Sequence, residues 1–179
     1  PDRIEAGTYM VASAITRGDI TLQDLSVSDL TSVIFKLREV GIDITILNQD
    51  KLRIKMNSKP LGFKIKTMPY PGFSTDLQSA MLSLACIANG VSVINETVFE
   101  NRFLVVPELI KMGAKITTND RMAIVTGVEE LFPANVVAPD LRGGAALVLA
   151  ALAAKGESEI SSIEIIERGY ENMDKKLQE

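Results

Sequence analysis

The sequence contains no histidine, no tryptophan and a single cysteine among its 179 residues. Without histidine it lacks the most common general base and the most common metal ligand, so proton transfer would fall to Asp, Glu, Lys, Arg or Tyr. One cysteine excludes an internal disulfide and fits a reducing compartment. Because Cys86 lies within an apolar helical pattern, we expect an unreactive core residue rather than a reactive thiol.

The sequence also has no excess of basic residues and no long apolar runs. The formal net charge is −4, which argues against general nucleic-acid binding. No apolar run reaches the roughly 20 residues that a membrane-spanning helix needs. Aromatic residues make up only 5% of the sequence while hydrophobic residues make up 46%, so the core must be aliphatic.

Glycines at regular spacings indicate an internal repeat. Gly18, Gly90 and Gly156 each close a helical pattern before an alternating strand pattern, at spacings of 72 and 66 residues. Gly41 and Gly113 mark a second helix end, 23 residues after Gly18 and Gly90. Such a repeat predicts similar structural units that pack side by side. We expect a single domain over residues 1–179, with three units at about 1–58, 62–128 and 134–179.

Each unit is predicted to run helix, strand, helix, strand, strand, with a further strand leading into the next unit. Helices are predicted near 3–17, 28–40, 75–89, 102–112 and 140–155, with a last one starting near 168. Strands are predicted near 19–25, 43–48, 51–57, 91–98, 115–119, 122–127 and 157–163, with "FKIKTMP" and "ANVVAP" as leading strands. The first unit has no leading strand and the third no closing strands, so we expect a fragment of a longer protein.

One helix indicates how the units pack. The segment "LRGGAALVLAALAAKG" is small and apolar on every face, which is typical of a helix that is buried all round. Its small residues let neighbouring helices approach closely. We therefore expect an α/β fold in which the helices pack together inside and the strands lie outside them, unlike the usual βαβ arrangement.

Arginines occur in the first turns of several predicted helices, where the partial positive charge of the helix favours acids. They are Arg3, Arg102, Arg142 and Arg168, and each follows an acid by one or two residues (Asp2, Glu100, Asp140 and Glu167). Local pairing with that acid explains any one of them. Four sites with one pattern favour an anion site, where guanidinium groups and backbone N–H groups bind phosphate or carboxylate.

Asp76 opens the apolar stretch "FSTDLQSAMLSLACIANG". The local pattern fits a capping box, with Thr75 as the N-cap and Gln78 at the third helical position, and Asp76 as an ordinary first-turn acid. If Thr75 caps the helix, however, Asp76 is free to face a ligand. A carboxylate beside arginines could accept a proton from a substrate hydroxyl. The residues alone leave both interpretations open.

Five segments together resemble the UDP-N-acetylglucosamine enolpyruvyl transferase family, over its C-terminal half. They are "PDRIEAGTYMVASAITRG", "FSTDLQS", "NETVFENRF", "APDLRGGAALVLAALAAKG" and "IERGYENMDKKL", and the resemblance runs from residue 1 to 179. It implies an inside-out α/β barrel of three βαβαββ-type repeats, one of two domains. The implied reaction moves enolpyruvyl from phosphoenolpyruvate to the 3′-hydroxyl of UDP-N-acetylglucosamine and releases phosphate, without metal or organic cofactor. It is the first committed step of peptidoglycan synthesis, which implies a bacterial, cytoplasmic protein.

The resemblance also implies roles for individual residues. Asp76 is similar to the proposed base on the sugar 3′-hydroxyl, and Val98 to a backbone contact with the sugar nucleotide. Arg142 and Arg168 are similar to the arginines that hold the carboxylate or phosphate of phosphoenolpyruvate, Arg168 when the cleft closes. The remaining implied residues are Glu100, Arg102 and Asp140 along the cleft, and Asp2 and Arg3 near the interdomain hinge.

The same resemblance places a proton-donating cysteine and a catalytic lysine in the other domain. The expected partners are therefore the two substrates and that N-terminal domain, with no nucleic acid and no membrane, and the fragment alone is expected to be inactive. Two alternatives stay open. One is a 5-enolpyruvylshikimate-3-phosphate synthase-like transferase with a different acceptor. The other is a non-catalytic, clamp-like interaction module, although the net charge of −4 fits poorly with helices that surround DNA.

Overall fold

The computed structural model describes residues 1–178. The helices are α1 (Arg3–Thr16), α2 (Thr31–Glu39), α3 (Gln78–Cys86), α4 (Val106–Lys111), α5 (Leu141–Ala153), α6 (Glu164–Glu167) and α7 (Met173–Lys176). The strands are β1 (Asp19–Leu22), β2 (Asp43–Ile46), β3 (Leu52–Lys55), β4 (Lys64–Lys66), β5 (Val91–Asn95), β6 (Lys115–Asn119), β7 (Met122–Thr126), β8 (Asn135–Val137) and β9 (Glu159–Ser161). Short 3₁₀ turns over Val27–Leu30 and Thr75–Leu77 lead into α2 and α3.

The strands form a separate sheet in each repeat. The first has the order β1-β3-β2 and the second β4-β5-β7-β6, while β8 and β9 pair in the third. β1, β3 and β2 pair antiparallel in the same order as β5, β7 and β6. The leading strands β4 and β8 pair in parallel with β5 and β9. The repeat that the glycine spacings predict is therefore confirmed by strand order and direction.

The first helix of each unit lies at the centre of the molecule. α1, α3 and α5 pack against one another, and every residue of α3 is buried. Glycines permit close packing around these helices: a Cβ added at Gly7 of α1 would lie 2.6 Å from Cδ1 of Leu77, in the turn before α3, and one at Gly144 of α5 would lie 2.6 Å from Cγ1 of Ile166 in α6. The strands cover these helices with alternating buried and exposed residues, as in β7. The three central helices therefore lie inside and the sheets outside, as the sequence predicts, while α2 and α4 each keep an exposed face.

The first and last units also contact each other directly. The hydroxyls of Thr8 in α1 and Tyr170 after α6 lie 3.1 Å apart in the interior. At the surface, Lys176 Nζ pairs with Glu5 Oε1 at 2.6 Å. Each unit therefore touches both of the others, and the central helices are largely buried between them, although Leu152 near the end of α5 stays exposed.

Four of the five predicted helix-ending glycines adopt a positive φ: Gly41, Gly90, Gly113 and Gly156. The prediction is wrong at Gly18, because α1 ends one residue earlier. Arg17 takes the left-handed conformation, with a φ of 56°, and its N–H bonds to Ala14 O. The left-handed conformation strains the backbone of an arginine and therefore costs free energy that a glycine would not lose.

Two predicted helix starts are also wrong. α4 begins at Val106, with Pro107 in its first turn, so Arg102 lies in the preceding loop. Arg168 caps the C-terminal end of α6, and the left-handed φ of Asn172 separates it from α7. Of the four arginines, only Arg3 and Arg142 lie in a helical first turn. No helix within residues 1–178 is long and apolar enough to cross a membrane.

Candidate functional site

Asp76 lies between two arginines from different parts of the chain. Arg102 Nη2 donates to Asp76 Oδ1 at 3.0 Å, and Arg142 Nη2 lies 3.6 Å from Oδ2. The side chain of Asp76 is 36% exposed, against 19% for Arg102 and 16% for Arg142. The three groups thus form a partly open cluster in which a carboxylate faces two guanidinium groups.

Each arginine is supported by an aromatic ring. The guanidinium carbon of Arg102 lies 4.5 Å from the centre of the Phe99 ring, and that of Arg142 lies 5.5 Å from the centre of the Tyr170 ring. Such contacts orient a planar cation and leave its edge available for hydrogen bonds. The cluster can therefore present ordered N–H donors to an anion.

Arg142 is also fixed by the start of its helix. Asp140 is the N-cap of α5, and its Oδ1 accepts from the backbone N–H groups of Arg142 at 2.9 Å and Gly143 at 2.8 Å. Burial acts to lower the pKa of Arg142, but interactions with Tyr170 and Asp76 outweigh it and raise the pKa above its ordinary value. Asp140 thus supports the cluster through the backbone, while Arg142 keeps its positive charge.

The predicted capping box before α3 is wrong. Ser74 is the N-cap, and its hydroxyl accepts from the N–H of Asp76 at 3.2 Å. Thr75 Oγ1 instead donates to Glu96 Oε2 at 2.9 Å, and Gln78 is fully buried as the first residue of α3. The side chain of Asp76 takes no part in capping and remains directed to the arginines.

Sequence reasoning missed Glu96. This residue is only 1% exposed, and its carboxylate accepts from Thr67 Oγ1 at 2.8 Å, Thr75 Oγ1 at 2.9 Å, Val98 N at 2.8 Å and Phe99 N at 3.1 Å. The available signal was an acid that directly follows a β-strand and stands between polar residues, in "INETV". A charged residue in such a position is rarely buried without partners.

A cleft of about 290 Å³ lies beside the cluster, bounded by Asp76, Val98 and Phe99. Arg3 also lies along it, with its guanidinium carbon 5.3 Å from the centre of the Tyr70 ring. The structure therefore brings together the predicted residues Asp76, Val98, Arg102 and Arg142, with Arg3 at the cleft and Asp140 beneath.

Other predicted residues lie apart from this cluster. Glu100 is highly exposed and pairs with Arg121 at 3.0 Å rather than with Arg102. Arg168 is exposed and forms no ion pair within residues 1–178. Asp2 is the N-cap of α1, where its Oδ1 accepts from Ile4 N at 2.7 Å. A surface ion pair with a residue 21 positions away therefore explains Glu100 in this conformation, and helix capping explains Asp2.

Cys86 lies at the end of α3, where it is fully buried. Burial raises the pKa of its thiol to about 12, and Sγ donates to Leu82 O at 3.2 Å. The prediction of a core cysteine is confirmed, and its lack of reactivity stays a prediction. Among residues 1–178, no three His, Cys, Asp or Glu side chains lie together as a metal site would require.

A sequence-family model described as EPSP synthase (3-phosphoshikimate 1-carboxyvinyltransferase) matches residues 1–177. A curated relative named UDP-N-acetylglucosamine 1-carboxyvinyltransferase 3, from Symbiobacterium thermophilum, is 50% identical over 177 residues, covering 99% of this chain and 42% of that protein. A UDP-N-acetylglucosamine 1-carboxyvinyltransferase from Geobacter metallireducens is 49% identical over 178 residues with the same two coverages. The chain therefore spans less than half the length of these relatives.

Solved structures match the fold over nearly the whole chain. The enolpyruvyl transferase NikO from Streptomyces tendae superposes with a TM-score of 0.91 at 26% identity, covering 99% of this chain and 42% of that one. EPSP synthase from Acinetobacter baumannii superposes with a TM-score of 0.77 at 19% identity, covering 98% of this chain and 44% of that one. The second match is a likeness of fold alone. Both agree with the inside-out α/β arrangement described above.

Proposed function

Because the chain belongs to the EPSP synthase (3-phosphoshikimate 1-carboxyvinyltransferase) family, we propose that it forms one domain of an enolpyruvyl transferase and one wall of its active-site cleft. The single observation that carries this proposal is the carboxylate of Asp76 between Arg102 and Arg142, beside an open cleft. Guanidinium groups bind the carboxylate and phosphate groups of phosphoenolpyruvate, and a carboxylate can accept the proton of an acceptor hydroxyl.

We propose UDP-N-acetylglucosamine as the acceptor. The relatives that are about half identical over 99% of the chain carry its name, whereas the matched EPSP synthase structure is 19% identical. The product would enter peptidoglycan synthesis in the bacterial cytoplasm. An EPSP synthase-like acceptor remains the alternative, because the matched family model bears that description.

In the proposed reaction, Asp76 accepts the proton of the sugar 3′-hydroxyl as that oxygen bonds to C2 of phosphoenolpyruvate. C3 receives a proton from a group on the other domain, which gives a tetrahedral intermediate. Phosphate then leaves C2 while the proton on C3 returns to the group on the other domain, which restores the double bond, and the proton on Asp76 leaves with the phosphate. Arg142 and Arg102 bind the anionic groups throughout, which favours the charged intermediate over the separated substrates.

The other predicted residues have supporting parts in this proposal. The Val98 N–H already donates to Glu96 Oε1 at 2.8 Å, so its contact with the sugar nucleotide falls to the carbonyl oxygen. Exposed Arg168 approaches phosphoenolpyruvate when the domains close, and Glu100 faces the wider cleft between the two domains. Asp140 holds Arg142 through the start of α5. Asp2 and Arg3 lie at the hinge.

The experiment is an assay of phosphate release from phosphoenolpyruvate by the complete enzyme, meaning this chain joined to the remaining length of its relatives. Release that depends on UDP-N-acetylglucosamine supports the proposal. Release that depends only on shikimate 3-phosphate supports the alternative acceptor, and release with neither contradicts both. Residues 1–179 alone, assayed in parallel, are expected to release no phosphate, because the proton donor lies in the other domain.

A further inference from the structure

Glu96 is a buried carboxylate that no step of the proposed reaction uses. It directly follows β5, and its own N–H donates to Arg121 O at 2.7 Å, which ties its backbone to the end of the sheet. Removing a carboxylate from water costs free energy, which the four hydrogen bonds to its oxygens offset here. An apolar side chain of similar volume would fill the space without that cost. The presence of a carboxylate at this position therefore indicates that Glu96 fixes the geometry of its neighbours rather than merely filling space in the core.

The donors to Glu96 come from the segments that carry the candidate site. Thr75 precedes Asp76 directly, on the 3₁₀ turn that leads into α3. Val98 and Phe99 belong to the loop that continues to Arg102, and both backbone N–H groups bond to Oε1. One side chain thus joins the turn before α3 to the loop after β5.

The contacts of Glu96 and those of the site form a closed ring. Thr75 connects Glu96 to Asp76, and Asp76 accepts from Arg102 at 3.0 Å. Arg102 lies over the Phe99 ring at 4.5 Å, and the N–H of Phe99 returns to Glu96 at 3.1 Å. A shift of the Glu96 carboxylate would therefore move both members of the Asp76–Arg102 pair.

Thr67, directly after β4, fixes the position of the Glu96 carboxylate through further hydrogen bonds. Thr67 Oγ1 donates to Glu96 Oε1 at 2.8 Å and accepts from Thr97 N at 2.9 Å. The hydroxyl of Thr97 donates in turn to the carbonyl oxygen of Thr67. Two neighbouring strand ends are thereby locked together at the point where Glu96 leaves the sheet.

We propose that Glu96 is a positioning residue, which holds Asp76 and Arg102 at the separation that the transferase reaction requires. This inference rests on the proposed function. A carboxylate accepts from several donors at once and has no donor of its own, so it fixes turn and loop in one relative position. A misplacement of about 1 Å at reacting groups can reduce a rate about a hundredfold.

The hydrogen bond from Thr75 to Oε2 allows the sharpest test, because it can be removed alone. In the complete enzyme, Thr75→Val keeps the branched shape and loses the hydroxyl, whereas Thr75→Ser keeps the hydroxyl and is the matched control. We expect Thr75→Val to lower kcat and kcat/KM together by about tenfold or more, the sign of an interaction needed in the transition state. Thr75→Ser is expected to retain kcat within about threefold.

Amide hydrogen exchange gives a second measurement that needs no turnover. In Thr75→Val we expect exchange at Val98 and Phe99 to accelerate about tenfold, because the carboxylate that binds them loses the donor that holds its Oε2. Exchange at Ile94, inside β5, serves as the internal reference and is expected to stay unchanged.

Three results would overturn the proposal. They are a kcat of Thr75→Val within about twofold of the parent, equal losses in the valine and serine variants, or unchanged exchange at Val98 and Phe99. A variant with a lower Tm but unchanged kcat would place Glu96 among residues that only stabilise the fold. If the parent enzyme itself shows no turnover with UDP-N-acetylglucosamine, the proposed function fails, while the exchange comparison still decides whether Glu96 holds the loop.

Discussion

Replacing Asp76 with asparagine removes the charge between Arg102 and Arg142 and little else. The two side chains have nearly the same shape, and the N–H of residue 76 keeps its bond to Ser74 Oγ. The substitution is made in the complete enzyme. It separates the two interpretations of Asp76 that the sequence leaves open, a helix-start acid or a base.

The expected loss of stability is small. Asp76 is 36% exposed, so each of its two ion pairs contributes about 0.2–1 kcal/mol, and the pairs together contribute about 1 kcal/mol. A loss of about 1 kcal/mol corresponds to a fall in Tm of roughly 2–4 °C for a domain of this size. The variant is therefore expected to fold and to remain folded at assay temperature.

The expected loss of activity is much larger. General base catalysis contributes about a hundredfold to ten-thousandfold, which corresponds to about 3–5 kcal/mol in the barrier. The assay is phosphate release at saturating phosphoenolpyruvate and UDP-N-acetylglucosamine, with thermal unfolding measured on the same preparations. Asp50→Asn, at an exposed acid in the turn before β3, is the matched control and should leave both quantities unchanged. A kcat of Asp76→Asn within about threefold of the parent, with Tm lowered, would refute the role as base.

Three further substitutions and treatments test the cluster and the core. Arg142→Lys should raise the KM for phosphoenolpyruvate about tenfold, because an ammonium lacks the planar fork; an unchanged KM would contradict anion binding there. Cys86 should resist iodoacetamide at about pH 8 until the protein unfolds, because burial raises its pKa to about 12 and keeps the thiol protonated; labelling of the folded protein, seen by mass spectrometry, would contradict this. Gly127→Ala should destabilise by about 3 kcal/mol or more in denaturant unfolding, since the new Cβ would lie 1.6 Å from Ala88 O. Gly90→Ala is the control, because Gly90 has a φ of +94° and no described atom outside residues 89–91 lies within 4 Å of the added Cβ; it should cost only about 1–2 kcal/mol, and equal losses would rule out the steric explanation.

The repeat could be predicted from the sequence because its signals are local. A glycine that ends a helix with a positive φ can be recognised from a single position of the sequence, and four of the five predicted glycines adopt that conformation. The failure at Gly18 has a physical reason, since Arg17 adopts the left-handed conformation itself. Propensity favours glycine there, but it does not forbid another residue when the surrounding structure fixes the turn.

The site could be predicted only in part, because its geometry depends on contacts between distant residues. The local pattern assigned Thr75 to a capping box, and Glu96, 21 residues away, binds its hydroxyl instead. The arginine pattern selected Arg102 because it was predicted to start a helix, but α4 begins at Val106 and Arg102 lies in the loop before it. Its importance in the structure comes from Asp76, 26 residues earlier in the chain. Contacts between residues so far apart in sequence can be recognised only once the fold is known.

The mutual packing of α1, α3 and α5 has a consequence for how the chain folds. Thr8 and Tyr170, whose hydroxyls meet in the interior, are 162 residues apart in sequence, so the ring of units closes only when the first and the last unit have come together. Two units without the third would leave an apolar helix face in water. Open repeat proteins add units one after another, and their stability grows nearly in proportion to their number. This closed ring should instead form late and in one cooperative step, with the slow kinetics that contacts of high sequence separation impose.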